Sequence, residues 1–174
     1  MLPELEIARI YDEHASSVFG LFMKFARDSS DARDLLQDWL VKIGRSDGLP
    51  DDLRNERSWC LKTAYRLAVD WSRKKGSHAR TIEAFEDRPR AFDFFETEND
   101  PDRELIRLGI EEALSSLPRD QQLVATLKIW DELSFREIGE VLDISANTAS
   151  SRYRYAVEKI RAELKNLYSE ICEP

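Results

Sequence analysis

A group of short polar and basic side chains near the end of the chain has the chemistry to bind nucleic acid. Asn147, Ser150, Ser151, Arg152 and Arg154 alternate with apolar residues at helical spacing, which predicts that they face solvent on one helix. A guanidinium group can bond the O6 and N7 atoms of guanine or a phosphate, and a hydroxyl can contact base or backbone. This face is a candidate DNA-binding surface. Because any solvent-exposed helix face is polar, the choice between a DNA-binding face and an ordinary one depends on the neighbouring elements.

The residues before this helix have the pattern of a helix-turn-helix. Ser134 followed by Glu137 predicts a capping box, in which each residue satisfies the backbone N–H of the other. Apolar anchors follow, with Gly139 as the small residue where two helices touch. Asp143 stands where a tight turn needs a left-handed backbone, which costs Asp less than most residues. The cap and the turn do not depend on the exposed side chains, and they favour DNA binding.

Helical periodicity extends through the N-terminal part of the chain. Apolar stripes predict helices over residues 4–26, from Ala32 to Ile43 and from Trp59 to Gly76. The stretch 46–57, with Asp47-Gly48 and a proline, predicts an irregular loop. Three helices of this size are enough for one small domain.

A second domain is expected after an acidic linker. Residues 77–99 keep no period, are acidic and carry four phenylalanines, as expected of a linker. Asp100-Pro101-Asp102 then predicts a helix start, with Asp as N-cap and Pro at the first helical position. The expected fold class is all-α, with two small helical domains joined by the linker, the second being a helix-turn-helix domain.

The distribution of charge matters more than its sum. Taken alone, the net charge of −8 disfavours DNA binding. However, residues 46–80 carry 8 basic and 5 acidic side chains, whereas residues 81–104 carry 3 and 9. A local cationic surface can therefore coexist with an acidic chain.

Other classes of function are disfavoured by the sequence. Cys60 and Cys172 have no CxxC spacing and no neighbouring histidine, so we expect neither a metal site nor a disulfide. Cys60 lies within an apolar helical pattern and is expected to be a buried free thiol. The sequence has no glycine-rich phosphate loop and no nucleophile turn, so we expect no catalysis and no cofactor.

The sequence also predicts no membrane segment. The longest apolar run near the N-terminus, from Val18 to Met23, is far shorter than the roughly 20 residues that span a bilayer. Charged residues precede it, unlike the pattern of a signal peptide. We expect a cytoplasmic protein.

Three blocks of sequence carry a family resemblance. The first is Ala32-Arg33-Asp34-Leu35-Leu36-Gln37-Asp38. The second is Ser58-Trp59 with Ala64, Leu67-Ala68, Asp70 and Arg73. The third comprises Leu117-Pro118, Gln121-Gln122, residues 133–142 and Thr148-Ala149-Ser150-Ser151-Arg152. In this order and spacing they resemble the polymerase-binding helix, the minus-ten-reading helix and the minus-thirty-five-reading domain of the extracytoplasmic-function sigma factors, in the sigma-70 superfamily.

The resemblance implies a factor that directs core RNA polymerase to specific promoters. Its parts would be a region 2-like domain over 1–76, a linker over 77–99 and a region 4-like domain over 100–174. Expected partners are core RNA polymerase, promoter DNA and an anti-sigma factor. In the family the linker threads through the polymerase; this acidic one either does so or folds back to shield the basic segment.

The resemblance also assigns roles to individual residues. Polymerase contacts would be made by Asp34, Gln37 and Asp38, which share one helix face. The loop before the minus-ten helix would capture a flipped-out base. The implied DNA-binding residues are Arg54, Asn55, Arg57, Lys62, Arg66, Arg73, Lys74, Lys75, Asn147, Thr148, Ser150, Ser151, Arg152 and Arg154.

Three positions depart from the family pattern. Arg66 stands where the family usually has Asn, which helps to shape the base pocket. Ser150 replaces a usual Lys, and Asp143 replaces the customary Gly at the turn. Together they predict an unusual promoter preference rather than a loss of function.

Two other interpretations remain open at this level. A sigma-like mimic would bind an anti-sigma factor without recognising DNA; net acidity favours it, and the basic run from Arg73 to Lys75 disfavours it. An ordinary helix-turn-helix regulator with an unrelated sensing domain is disfavoured by the pattern over 32–38.

Overall fold

The structure is a computed structural model that describes residues 2–26, 28–46, 49–50, 55–76, 110 and 112–172. The chain divides into two compact units, one N-terminal and one C-terminal. Every regular element in the described residues is helical, which confirms the all-α fold class. The predicted linker over 77–99 and the predicted DNA contact Arg54 lie outside the described residues.

The N-terminal unit packs three helices against one another. They are α1 (Glu4–Phe22), α2 (Ser29–Gly44) and α3 (Glu56–Gly76). The first helix ends before residue 26, where the sequence predicted its end. The N–H groups of Lys24 and Phe25 donate to the carbonyls of Leu21 and Phe22, three residues earlier. These shorter-range bonds form tight turns that end the α-helix.

The start of α3 lies earlier than the sequence predicted. Asn55 Oδ1 accepts a hydrogen bond from Ser58 N at 3.1 Å and so caps the helix. Glu56 and Arg57, which were expected in the loop, are therefore the first residues of α3. The sequence predicted a later start because the apolar periodicity begins only at Trp59. Asn55 and the two charged residues after it are polar, so they do not extend the apolar pattern.

The N-terminal core lies between the three helices. Ile10, Phe22, Leu35 and Trp39 are all fully buried or nearly so. Trp39 Nε1 donates to Thr63 Oγ1 at 2.9 Å, so the indole N–H is satisfied inside the core.

Cys60 is a buried free thiol, as predicted. Its burial raises the pKa of the thiol to about 12. The side chain stays protonated at neutral pH and behaves as a small core residue.

The C-terminal unit contains α4 (Arg119–Ile129), α5 (Phe135–Leu142) and α6 (Ala146–Cys172), preceded by a helical stretch over 112–115. Helix α4 packs on α6. Buried Gln122 fastens the preceding stretch to α4, because its Nε2 donates to the carbonyls of Ser115 and Leu117. One buried cluster of this unit consists of Leu114, Leu117, Ala125 and Ala156, with Ile110, Trp130 and Ile160 packed against it.

The predicted capping box and turn are both present. Glu137 N donates to Ser134 Oγ at 3.3 Å, and Ser134 N donates to Glu137 Oε2 at 2.8 Å. Helix α5 ends at Asp143, whose φ of 57° and ψ of 46° are left-handed. A Cβ on Gly139 would lie 2.7 Å from the carbonyl oxygen of Ile144, so this position has no room for a side chain.

We expect Gly139→Ala to destabilise the C-terminal unit by about 1–3 kcal/mol, because the turn must move away from the new methyl group. Gly20→Ala in α1 is the matched control, since a Cβ there meets nothing within 4 Å. That substitution should stabilise by roughly 0.5–1 kcal/mol through helix propensity alone. Denaturant unfolding followed by circular dichroism measures both, and equal effects would contradict the steric argument.

Candidate nucleic-acid interface

The first turns of α6 present a polar surface opposite the core. Asn147, Ser150 and Arg154 are exposed and follow at intervals of three and four residues, which places them on one side of the helix. Ala149 and Ala156 are buried on the other side. Ser151 is half-buried. This side of α6 offers amide, hydroxyl and guanidinium groups in a row, and its role in binding DNA stays a prediction.

Arg152 lies differently from the sequence expectation that it faces solvent. Its Nη2 atom is 2.8 Å from Asp120 Oδ2 in the first turn of α4, and its side chain is only 31% exposed. The position follows buried Ala149 by three residues, which puts it at the edge of the packed side of α6. Because a guanidinium has five N–H donors, the remaining donors are still available for a phosphate or a base.

Thr148 takes part in the cap of α6. Its N–H donates to Ser145 Oγ at 3.0 Å, and the two hydroxyl oxygens are 2.8 Å apart. The cap fixes the start of the helix, next to exposed Asn147. A DNA contact by Thr148 would share its hydroxyl with this cap.

Tyr155 is an exposed residue that the sequence analysis did not select. Its side chain is 53% exposed, and the Arg154 guanidinium lies 5.3 Å from the centre of its ring. The signal was available, because Tyr155 falls outside the apolar stripe that contains Ala149 and Ala156. An aromatic ring that orients an arginine belongs to the same surface.

Helix α3 carries the basic residues of the N-terminal unit. Lys62 is half-buried and Arg66 is exposed. Arg73, Lys74 and Lys75 are exposed in the last turn, where the helix dipole favours cations.

Lys75 has partners within the unit. Its Nζ atom lies 2.7 and 2.9 Å from the two carboxylate oxygens of Asp31 on α2 and 4.4 Å from the centre of the Trp71 ring. Any phosphate contact by Lys75 must compete with Asp31.

Two of the three residues predicted to capture a base, Asn55 and Arg57, are described, and they lie at the start of α3. Asn55 uses its Oδ1 atom to cap α3. Arg57 and Trp59 are half-buried in the first turn. The amide NH₂ of Asn55 and the guanidinium of Arg57 are the groups with which this end of α3 would meet a base.

The predicted polymerase-binding residues share one exposed face of α2. Asp34, Gln37 and Asp38 are exposed, whereas the neighbouring Leu35 and Trp39 are buried. The structure therefore brings the three side chains together, as their spacing predicted.

The same face of α2 continues to an apolar residue. Val41 follows Asp38 by three residues and is 51% exposed. Sequence analysis missed it because Val41 resembles a core residue by type.

A cluster of charged residues joins α1 to α3. Arg9 donates from Nη1 and Nη2 to the two carboxylate oxygens of Glu56 at 2.9 and 2.8 Å, and also from Nη1 to Glu13 at 3.0 Å. His14 Nε2 lies 2.8 Å from Glu56 Oε1. Ligand atoms of Glu13, His14 and Glu56 lie within 4.8 Å of one another, which is a spacing that suits a metal ion. The Arg9 guanidinium is already the cationic partner of the Glu13 and Glu56 carboxylates, in the place of a metal ion.

The Arg9 hydrogen bonds lower the pKa of Glu56, and those from His14 act in the same direction. Glu56 therefore stays ionised well below neutral pH. Sequence reasoning could not find this cluster, because 42 residues separate His14 from Glu56 along the chain.

None of the helices in the described part of the chain is long and apolar enough to cross a membrane.

The chain is similar to known proteins over nearly its full length. Residues 113–162, from the stretch before α4 into α6, match the family described as Sigma-70, region 4. The chain is 25% identical over 159 residues to the ECF RNA polymerase sigma factor SigL of Mycobacterium tuberculosis, covering 91% of this chain and 88% of the relative. It is 27% identical over 163 residues to the RNA polymerase sigma factor CarQ of Myxococcus xanthus, with 94% and 91% covered.

Two solved structures share the fold. One is the sigma factor RpoE in complex with the anti-sigma factor NepR from Bartonella quintana, with a TM-score of 0.64 at 19% identity, covering 86% of this chain and 90% of that one. The other is CnrH in complex with the cytosolic domain of CnrY, with a TM-score of 0.62 at 18% identity, covering 94% and 90%.

Arg154→Ala should weaken duplex DNA binding by about 1–3 kcal/mol and relax sequence specificity, as expected for a base contact. Arg152→Ala should instead weaken all sequences alike and flatten the salt dependence, because a side chain held by Asp120 suits a phosphate. Fluorescence anisotropy of the full chain with a set of duplexes at two salt concentrations separates these outcomes. Arg161→Ala, exposed further along α6, is the control. Unchanged binding in both test variants would exclude this surface.

Glu56→Gln should make unfolding less sensitive to acid. Because the pKa of Glu56 is lowered in the folded state, its contribution to stability is present above the ordinary value of 4.5 and is lost as pH falls through the folded pKa. The difference in unfolding free energy between the wild type and Glu56→Gln should therefore shrink as pH falls below 4.5 and through the folded pKa. Thermal unfolding at several pH values measures it, with Glu13→Gln as the control. A constant difference would contradict the assignment.

Proposed function

Because the chain belongs to the extracytoplasmic-function sigma factors of the sigma-70 family, we propose that it directs core RNA polymerase to specific promoters. The observation that carries the proposal is the helix-turn-helix of α5 and α6, which lies within the match to sigma-70 region 4 and exposes Asn147, Ser150 and Arg154. The relatives named as sigma factors cover both units of the chain.

The two units would act on different parts of a promoter. Helix α6 would enter the major groove of the minus-thirty-five element, where guanidinium, amide and hydroxyl groups can distinguish base pairs. The start of α3 would hold an unstacked base of the minus-ten element, and the basic side chains along α3 would follow the phosphate backbone. This division places base recognition at the ends of helices that are fixed by caps.

Polymerase would bind the face of α2. Asp34, Gln37 and Asp38 present two carboxylates and an amide that need no rearrangement to meet a partner, because buried Leu35 and Trp39 hold the helix from behind. Exposed Val41 adds an apolar contact beside them. We expect a basic partner surface with an apolar element, since complementary charge steers association and sets its register.

The factor would act in the cytoplasm with the polymerase and would catalyse no reaction of its own. An anti-sigma factor is the expected regulator, because one of the two solved structures named above is a complex with an anti-sigma factor and the other a complex with a cytosolic domain. Run-off transcription with core polymerase and a promoter library tests the function. Initiation at a shared motif supports it. Binding to core polymerase or to an anti-sigma factor without initiation at any promoter would identify a sigma-like mimic instead.

Reversing the charge of the α2 face should weaken polymerase binding without unfolding the unit. We expect Asp34→Arg plus Asp38→Arg to weaken co-purification with core polymerase by at least about tenfold, the factor that corresponds to about 1.4 kcal/mol. Both side chains are exposed, so the fold should tolerate the change. The matched control is Glu4→Arg plus Asp12→Arg, which changes net charge equally at exposed positions of α1. Wild-type binding by a folded test variant would show that polymerase docks elsewhere.

A further inference from the structure

One carboxylate in the N-terminal unit receives an unusually complete set of hydrogen bonds. Arg9 donates to both oxygens of Glu56 as a two-pronged fork, at 2.9 and 2.8 Å. His14 Nε2 lies 2.8 Å from Oε1, and because a carboxylate only accepts, that nitrogen carries a proton. Three donors from α1 therefore fix both the position and the plane of the Glu56 carboxylate.

Glu56 is the first residue of α3, so the fixed carboxylate fixes the helix start. Its neighbour Asn55 caps the same turn through the bond from Ser58 N. One contact thus acts within α3 and the other anchors its first turn to α1. Asn55 and Arg57 lie on either side of Glu56, so these contacts also fix the positions of both residues.

His14 indicates that the arrangement does more than join two helices. The residue is buried to 7% exposure, and within the described residues its Nδ1 atom has no hydrogen-bond partner. A buried polar atom without a partner costs stability. An apolar side chain would join α1 to α3 without that cost, but only a donor such as His14 can hold the Glu56 carboxylate in place.

We propose that Glu56 is a positioning residue for promoter melting: held by Arg9 and His14, it presents Asn55 and Arg57 in a fixed geometry to an unstacked base of the minus-ten element. The proposal rests on the proposed function and deepens it. Glu56 itself touches no DNA in this account, and it acts through the first turn of α3.

Such positioning should affect one step of initiation more than others. Holding a base outside the stack requires a pocket whose groups are already in place, because ordering them during melting adds to the barrier of that step. Initial binding to duplex DNA depends mainly on phosphate contacts and on α6, which do not involve this turn. A loosened first turn should therefore slow promoter opening and leave closed-complex formation nearly unchanged.

The test uses the full chain with core polymerase on a promoter identified by run-off transcription. The affinity of the closed complex is measured by duplex binding, and the rate of opening by permanganate reactivity of the melted bases. We expect Glu56→Gln to slow opening by roughly tenfold and to change closed-complex affinity by less than about twofold. Arg9→Lys, which keeps the charge but loses the fork, should slow opening in the same direction.

Two controls separate positioning from a general loss of stability. Glu13→Gln removes another carboxylate partner of Arg9, but one on α1 itself, and should leave both steps unchanged. Glu56→Gln combined with the stabilising Gly20→Ala should remain slow in opening. If the added stability restores the opening rate, or if Glu56→Gln opens promoters at the wild-type rate, the positioning role is overturned while the proposed function stands. If the wild-type chain initiates at no promoter, both proposals fail.

Discussion

The close approach of α5 to its own turn is the constraint on which the DNA-binding unit depends. Gly139 leaves space for the Ile144 carbonyl, and Asp143 takes the left-handed conformation that reverses the chain. Together they set the angle at which α6 departs. The side chains of α6 can face a groove only if this angle is kept, so a backbone contact with no functional group of its own determines where the functional groups point.

The same dependence on helix starts is found in both units. Ser145 and Thr148 cap α6, and Asn55 caps α3. At α3, however, the Asn55 cap satisfies only one backbone N–H of the first turn, and such a turn frays easily without further contacts. The contacts from α1 to Glu56 compensate for this, and they have no counterpart among the described contacts of α6, whose first turn is held by the adjoining turn.

The sequence predicted local features well and contacts between helices poorly. The capping box from Ser134 to Glu137 and the tight turn at Asp143 were predicted correctly, because each depends on a few neighbouring residues. The pairing of Arg152 with Asp120 and of Lys75 with Asp31 was not predicted. Such pairs join residues that only the fold brings together, and many exposed acids compete as partners on an acidic chain.

These internal pairs would let an acidic chain carry cationic surfaces for DNA without binding nucleic acid of every sequence equally. Asp31 pairs with Lys75 of α3, and Asp120 pairs with Arg152 of α6. Both helices are proposed to bind DNA. A partly exposed pair of this kind contributes little to stability, commonly up to about 1 kcal/mol. Its greater effect is on binding, because a phosphate that approaches Lys75 or Arg152 must compete with the carboxylate for the same cation. If these surfaces bind DNA as proposed, non-specific affinity, which depends on the number of phosphates neutralised, would fall, whereas a base contact made by Arg154 would not be reduced in this way. Local acidity would then raise the ratio of specific to non-specific binding.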